Sequence, residues 1–319
     1  MEILVLGCSD VFLRRALPSL YSCTSVSRIH IASKSKSKDQ IDKKYFNKLG
    51  TWFDDYSIAL NSLQSDLVYI SLPNHLHFTW AKKSLFAGLH VIVEKPATLK
   101  LSDTKLLAKI AYERNLCLAE STVWSFHPNI EILKNKLNPY QNSEIEVNAT
   151  FTVPAFKSNN YRNSPKFGGG AFNDLSAYAV SVGRILFNQK PSSVSAKLIS
   201  FDKTNRIDTG FSVLMEFNNG KKLNGFFGFE LEYKNTLEIA GKGFLFELNR
   251  VFSPPAGIEV NMRSNIDGIH HNENLKGDVY ANFFNSVITT CQTQERIKWL
   301  ELIMQDAELT NELKSKIIN

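Results

Sequence analysis

The chain is poor in cysteine, and the cysteines it has form no pattern. Its 319 residues hold only Cys8, Cys23, Cys117 and Cys291, widely separated and without a Cys-x-x-Cys. That spacing excludes a zinc ribbon and a disulfide framework and fits a reducing compartment, so a cytoplasmic chain without a metal is expected. No apolar run approaches the ~20 residues that span a bilayer, which leaves out a membrane partner. The opening residues Glu2-Ile3-Leu4-Val5-Leu6 read as a strand and not as a secretory leader. Internal repeats are absent, and the short Ser/Lys run from Ser33 to Lys38 is the one biased segment. The net charge is +6, yet the lysines are scattered, with one denser run from Lys34 to Lys44. Without a basic arm or an aromatic-basic stripe, the excess charge points to a small anionic ligand and away from nucleic acid. An apolar fraction of 43% and a charged fraction of 21% are those of an ordinary globular protein. The length exceeds the about 250–300 residues at which single cores stop growing, so two domains are expected.

What is present begins with Val91-Ile92-Val93-Glu94-Lys95-Pro96. Three apolar β-formers make a strand covered on both faces, and proline ends its ladder. Lys95 therefore lies at the carboxyl end of a strand, where open α/β sheets bind ligands. The same triplet also reads as a strand-end turn with a solvated Glu-Lys pair. Further buried strands are expected at Ile3–Leu6, Arg28–Ala32, Leu67–Leu72 and Leu116–Ala119. Helices are expected between them at Leu13–Leu20, Asp54–Leu63, Leu76–Ala87 (closed by Gly88) and Leu99–Asn115 (capped by Ser102). This alternation argues a doubly wound parallel sheet over residues 1–120.

The first strand runs into Gly7-Cys8-Ser9-Asp10-Val11, the place for a dinucleotide-binding turn, although the full Gly-x-Gly-x-x-Gly is missing. A helix N-terminus there can still take a pyrophosphate; an ordinary strand-to-helix loop is the alternative. The second strand ends in Ser33-Lys34 with lysines following and no acid, which favours NADP(H) over NAD(H). A solvated lysine run reads the same way. Beyond Glu120 the pattern changes. One helix is expected over Trp124–Leu137 and another over Ala171–Phe187, with helical structure again from Tyr280 to Ile318. Between them, strands at residues 144–153, 193–201, 211–217, 222–229, 235–240 and 243–248 follow one another without helices. They argue a mostly antiparallel open sheet in an α+β domain covering residues 121–319.

In this order the chain resembles the Gfo/Idh/MocA family of NAD(P)-dependent oxidoreductases over essentially its whole length. The resemblance is carried by Gly7-Cys8-Ser9, Leu72-Pro73-Asn74 with His77, Glu94-Lys95-Pro96, Trp124-Ser125-Phe126-His127-Pro128, and Gly168-Gly169-Gly170-Ala171-Phe172-Asn173-Asp174. Within the family it is most similar to the sugar-nucleotide 3-ketoreductases of deoxysugar synthesis. Three features say so: the Gly7–Val11 turn with Arg14-Arg15-Ala16-Leu17-Pro18, the stretch from Asn235 to Gly241 running into Arg250–Ala256, and Tyr178 four residues after Asp174. The resemblance implies a Rossmann domain that binds NADP(H), with Gly7, Cys8, Ser9, Asp10, Val11, Ser33, Lys34, Leu72, Pro73, His77, Glu94, Lys95 and Trp124 as cofactor residues. It implies Lys95, His127, Arg162, Asp174 and Tyr178 as substrate residues.

Asp174 and Tyr178 stand at i and i+4 and share a helix face, and the three glycines before them would let backbone approach a ligand. A phenol is a good proton donor at neutral pH, and an ammonium nearby stabilises the phenolate. Tyr178 is thus expected as general acid in ketone reduction, with Lys95 as its electrostatic partner and Asp174 orienting the sugar or Lys95. On the residues alone, Tyr178 also reads as a packed helix tyrosine, His127 as half-buried on its helix, Arg162 as an exposed arginine and Trp124 as core. Two rival functions stand beside the reductase: a free-sugar or dihydrodiol dehydrogenase of the same family, and a non-catalytic dinucleotide-binding sensor, for which the eroded glycine turn speaks. The family's usual dimer surface is the open sheet, and a large apolar face would otherwise meet water, so a homodimer or tetramer is expected.

Overall fold

The apolar runs of the first part of the chain have no polar face to offer water, and they lie side by side in a parallel sheet. The computed structural model describes residues 1–62 and 64–318. The chain divides into two compact units, Met1–Ser121 with Tyr280–Ala307, and Thr122–Val279 with Glu308 onward. The C-terminal segment expected within the second domain is thus shared, its first part belonging to the first unit.

In the first unit, β1 (Glu2–Leu6) is followed by a π-helical turn, Phe12–Ala16, and α1 (Leu17–Ser22). Next come β2 (Arg28–Ala32), β3 (Leu49–Phe53), α2 (Tyr56–Ser62) and β4 (Leu67–Ile70). The series ends with α3 (Asn74–Phe86), β5 (His90–Val93), α4 (Leu101–Glu113) and β6 (Leu118–Glu120). The strands run parallel in the order β3-β2-β1-β4-β5-β6, and Leu4, Val68, Val91 and Leu118 are fully buried. Strand order reverses across β1, which lies between β2 and β4, and that is where such sheets open a crevice for ligands. β3 was not legible in the sequence because Gly50 and Thr51 break its apolar run and it forms the edge of the sheet. The helix expected to reach Leu63 is described to Ser62; Leu63 lies outside the described residues. Ser102 does not cap α4: it sits inside the helix, while the Thr98 hydroxyl just upstream bonds the Lys100 carbonyl and the Thr104 hydroxyl at 2.8 and 2.7 Å.

The second unit opens with a 3-10 turn, Val123–Phe126, and α5 (Pro128–Leu137). The single helix expected over Trp124–Leu137 is therefore broken at His127, whose extended backbone precedes Pro128. A residue before proline is pushed out of the helical region. Then follow β7 (Ile145–Thr152), α6 (Ala171–Phe187), β8 (Ser193–Asp202), β9 (Ile207–Phe217) and β10 (Lys221–Gly228). The sheet is completed by β11 (Lys234–Gly241), β12 (Phe244–Asn249), β13 (Glu259–Ile266) and β14 (Ile269–Lys276). It runs in the order β14-β13-β12-β11-β7-β10-β9-β8, antiparallel except for the parallel pair β7 and β10. The β13–β14 hairpin was not expected from its sequence: in β13 the apolar alternation runs only through Val260 and Met262 before Ser264 breaks it, and β14 is polar almost throughout.

Period-two alternation puts Val147, Phe151, Phe211, Leu223, Phe227 and Phe246 on the face covered by α6. The other face is not the apolar surface anticipated. Paired positions across it are Leu214, Asn224, Asn148, Glu238, Glu247, Arg263 and Asn272, nearly all polar. The chain ends with α7 (Val279–Cys291) and α8 (Ile297–Ile318). Among the described residues no helix is long and apolar enough to cross a membrane.

Candidate active site

The anticipated residues fall into two groups, one in each unit. In the first unit, the parallel register brings the carboxyl ends of the strands level. Gly7 N–H donates to the Ala32 carbonyl, Ser71 N–H to Leu6, Glu94 N–H to Ile70 and Ser121 N–H to Val93, all at 2.8–3.0 Å. Residues 7–11, 33–34, 72–73 and 94–95 therefore share one edge of the sheet.

Gly7 carries φ +94°, and a Cβ there would stand 2.4 Å from the Ser71 carbonyl oxygen, so only glycine lets the first turn pass this close to the next strand. The surviving glycine is thus required even though the rest of the motif is gone. Ser9, where a second glycine would sit, ties the turn together: its Oγ accepts from Phe12 N–H at 3.0 Å and lies 2.7 Å from Ser71 Oγ. Cys8 is buried beside it, and burial pushes its thiol up to about 11, so it remains a neutral thiol. At the end of β2, Ser33 Oγ accepts from the N–H groups of Ser35 and Lys36. Lys36 Nζ meets Asp10 at 2.6 Å, and Lys34 meets Asp55 at 3.6 Å over the ring of Tyr56. Lys36 adds a second cation to this end. No carboxylate ends β2 itself, and the hydroxyl and ammonium groups present fit a ribose bearing a phosphate.

Leu72 and Pro73 lead into α3, and His77 is wholly buried, with Nδ1 2.8 Å from the Pro96 carbonyl and Nε2 2.7 Å from the Leu72 carbonyl. Glu94 turns its carboxylate inward. Oε1 accepts from the hydroxyls of Tyr69, on β4, at 2.5 Å and Tyr280, on α7, at 3.1 Å. Burial pushes this carboxyl above the ordinary glutamate range, against the pull of Tyr69 and Lys95. The role of Tyr280 had no sequence signal, because it stands 186 residues from its partner. Lys95 is half-buried at the strand end, and Ala97 N–H donates to Glu120 Oε2 at 2.7 Å, which holds the segment after it.

In the second unit, two of the three glycines stand where a side chain would meet its own unit. Gly168 is left-handed (φ +75°). A Cβ on Gly169 would stand 2.3 Å from the Arg162 carbonyl oxygen, and one on Gly170 2.3 Å from Asp208 Oδ1. Asp208, at the start of β9, accepts from Phe172 N–H at 2.5 Å and so caps α6 from another strand. Burial pushes its carboxyl up, the Phe172 amide opposing. Nothing local in the sequence marks Asp208, a cap supplied from 36 residues downstream.

The first turns of α6 carry Asp174 and Tyr178. Arg162 Nε donates to Asp174 Oδ2 at 2.9 Å, and its guanidinium lies over the rings of Phe156 and Tyr161. Burial opposes the charge on Arg162, but Asp174 beside it outweighs burial and holds the guanidinium above its ordinary value. Arg162 and Asp174 are thus engaged with each other. The Tyr178 ring packs edge-on to Phe151 at 5.0 Å and against Phe252 at 5.4 Å, which fixes where its hydroxyl lies. Trp124 is fully buried in the core of this unit, its Nε1 donating to Ser181 Oγ at 2.9 Å. His127 is buried at the start of α5; its Nδ1 accepts from Asn129 N–H, which leaves the proton of the neutral ring on Nε2. Burial holds this imidazole below the usual histidine value.

Residues 1–122 match the oxidoreductase family with an NAD-binding Rossmann fold, GFO/IDH/MocA, and residues 144–244 match the GFO/IDH/MocA C-terminal domain. The dTDP-3,4-didehydro-2,6-dideoxy-alpha-D-glucose 3-reductase of Actinomadura kijaniata is 27% identical over 316 residues, 98% of this chain and 94% of that one. The enzyme of the same name from Streptomyces violaceoruber is 29% identical over 259 residues, 81% of this chain and 75% of that one. Among solved structures, KijD10, a 3-ketoreductase from Actinomadura kijaniata in complex with NADP and TDP-benzene, aligns with TM-score 0.88 at 26% identity, covering 99% and 98% of the two chains.

Proposed function

Because the chain belongs to the GFO/IDH/MocA family of NAD(P)-dependent oxidoreductases, we propose that it reduces a keto group of a nucleoside-diphosphate deoxysugar, at C3, with NADPH. The end-to-end likeness to the Actinomadura reductase supports this reading most. The cationic end of β2 and the turn closed by Ser9 fit NADPH, which when bound supplies hydride to the carbonyl carbon. Gly7 to Val11, Ser33 and Lys34 to Lys36 hold the dinucleotide, and Leu72, Pro73 and His77 shape its surroundings. Tyr178 gives its phenolic proton to the carbonyl oxygen as the carbon accepts hydride, so the ketone becomes an alcohol. Lys95 donates a hydrogen bond to that oxygen and stabilises the phenolate left behind. Asp174, held by Arg162, orients the sugar, whereas His127, expected as a substrate residue, has its Nε2 buried and takes no part. The protein acts in the cytoplasm as a homodimer or tetramer.

The test is NADPH consumption on dTDP-3,4-didehydro-2,6-dideoxyglucose, run beside NADH and a panel of free sugars and dihydrodiols. Turnover confined to the sugar nucleotide is expected. Turnover of free sugars alone would move the substrate class, and NADPH binding without any turnover would favour the sensor. Tyr178→Phe should lower kcat by about 100-fold or more while leaving NADPH affinity within about threefold. Light scattering decides the oligomer.

A further inference from the structure

Both ring nitrogens of His77 face backbone carbonyls, and a carbonyl can only accept a hydrogen bond. A neutral imidazole has one N–H. It satisfies one of the two carbonyls and turns a lone pair toward the other, at under 3 Å. An imidazolium satisfies both. The carbonyls belong to the two segments that leave the sheet after β4 and β5, and Pro96 is bonded directly to Lys95. A hold on the Pro96 oxygen therefore acts one residue from the ammonium assigned to the substrate oxygen.

We propose that His77 is a positioning residue for the reaction and works as a proton-operated clasp: with both nitrogens protonated it ties the Lys95 segment to the Leu72 segment, and with one proton it lets go of one of them. The proposal rests on the ketoreductase reading through Lys95. Burial is the largest influence on the ring and disfavours the second proton, while the Pro96 and Leu72 carbonyls favour it. The charged groups that face the ring, Lys95 after β5 and His75 on the same helix, disfavour it as well. The balance lies below the ordinary histidine value, so the clasp closes on the acid side of the ordinary histidine range.

The experiment is a pH titration of nitrogen-15-labelled full-length protein, reading the His77 ring by long-range proton–nitrogen correlation. Two protonated ring nitrogens in the acid limb and one in the alkaline limb are expected; a single unchanging tautomer from about pH 5 to 8 overturns the clasp. In parallel, His77→Phe keeps the ring volume and donates nothing. It should cut kcat by about 10- to 100-fold and erase the acid-side pH dependence of kcat. Wild-type kcat and pH profile in this variant, or a loss confined to NADPH affinity, overturns the positioning role. If His77→Phe does not fold, His77→Gln, whose single donor nitrogen can reach one carbonyl only, takes its place with the same readouts. Failure of the ketoreductase reading shows itself separately, as absence of turnover in the wild type, and the titration of His77 decides the clasp in that case.

Discussion

Replacing Arg162 by leucine tests whether the pair at the head of α6 holds that region together. The guanidinium side chain is 20% exposed, the Asp174 side chain 7%, and Nε stands 2.9 Å from Oδ2. Removing one partner of a buried ion pair leaves a charge that water cannot reach, at about 3–5 kcal/mol. The partial exposure of Arg162 lowers this to about 2–4 kcal/mol, because some water reaches its side of the pair. At about 2–4 °C of Tm per kcal/mol, a fall of roughly 4–16 °C is expected. The reverse change, Asp174→Asn, should cost less, since Arg162 keeps its two aromatic neighbours and part of its hydration. The double variant Arg162→Leu/Asp174→Asn should recover at least about 1 kcal/mol relative to the sum of the two, measured by urea unfolding. A single-variant loss under about 1 kcal/mol, or strict additivity in the cycle, would refute the idea that these residues are engaged chiefly with each other.

Three further outcomes follow from the same structure. Gly170→Ala should destabilise by about 1–3 kcal/mol in calorimetry, because φ is +102° and the new methyl would meet Asp208 Oδ1. Lys221 is fully buried, its Nζ lacks a hydrogen-bond partner among the described residues, and burial lowers its pKa. Lys221→Met should therefore raise stability by about 1 kcal/mol, net of the lost contact with the Phe187 ring; a loss in urea unfolding would count against this. Glu94 has a raised pKa in the folded state, so the folded protein holds its proton more tightly than the unfolded chain does. Its contribution to stability is complete below the ordinary glutamate value and is lost as pH rises through the folded value; Glu94→Gln should flatten that stretch of the stability–pH curve.

How much of this could be read beforehand depends on the range of the interactions involved. The parallel sheet was legible because β1, β2, β4 and β5 are short apolar runs that fit no other environment, with punctuation at Gly7, Pro73, Gly88 and Pro96 marking their ends. The same logic located α6 and most of the second sheet, and the β13–β14 hairpin escaped it because β14 is polar and only Val260 and Met262 carry the alternation in β13. The positions of Lys95, Asp174 and Tyr178 were readable as the end of a strand and one face of a helix.

Local sequence could not say which groups those residues meet. The carboxylate of Glu94 lies between tyrosines from β4 and α7, Asp208 crosses from β9 to cap α6, and Arg162 is spent on Asp174. Each of these pairs is chosen by where distant strands and helices come to rest, and side-chain chemistry alone is satisfied equally well by water. The order of apolar and turn residues along the chain thus determined the elements and the edge of the sheet where chemistry is placed. Tertiary packing decided which polar groups near that edge are committed to holding the protein together.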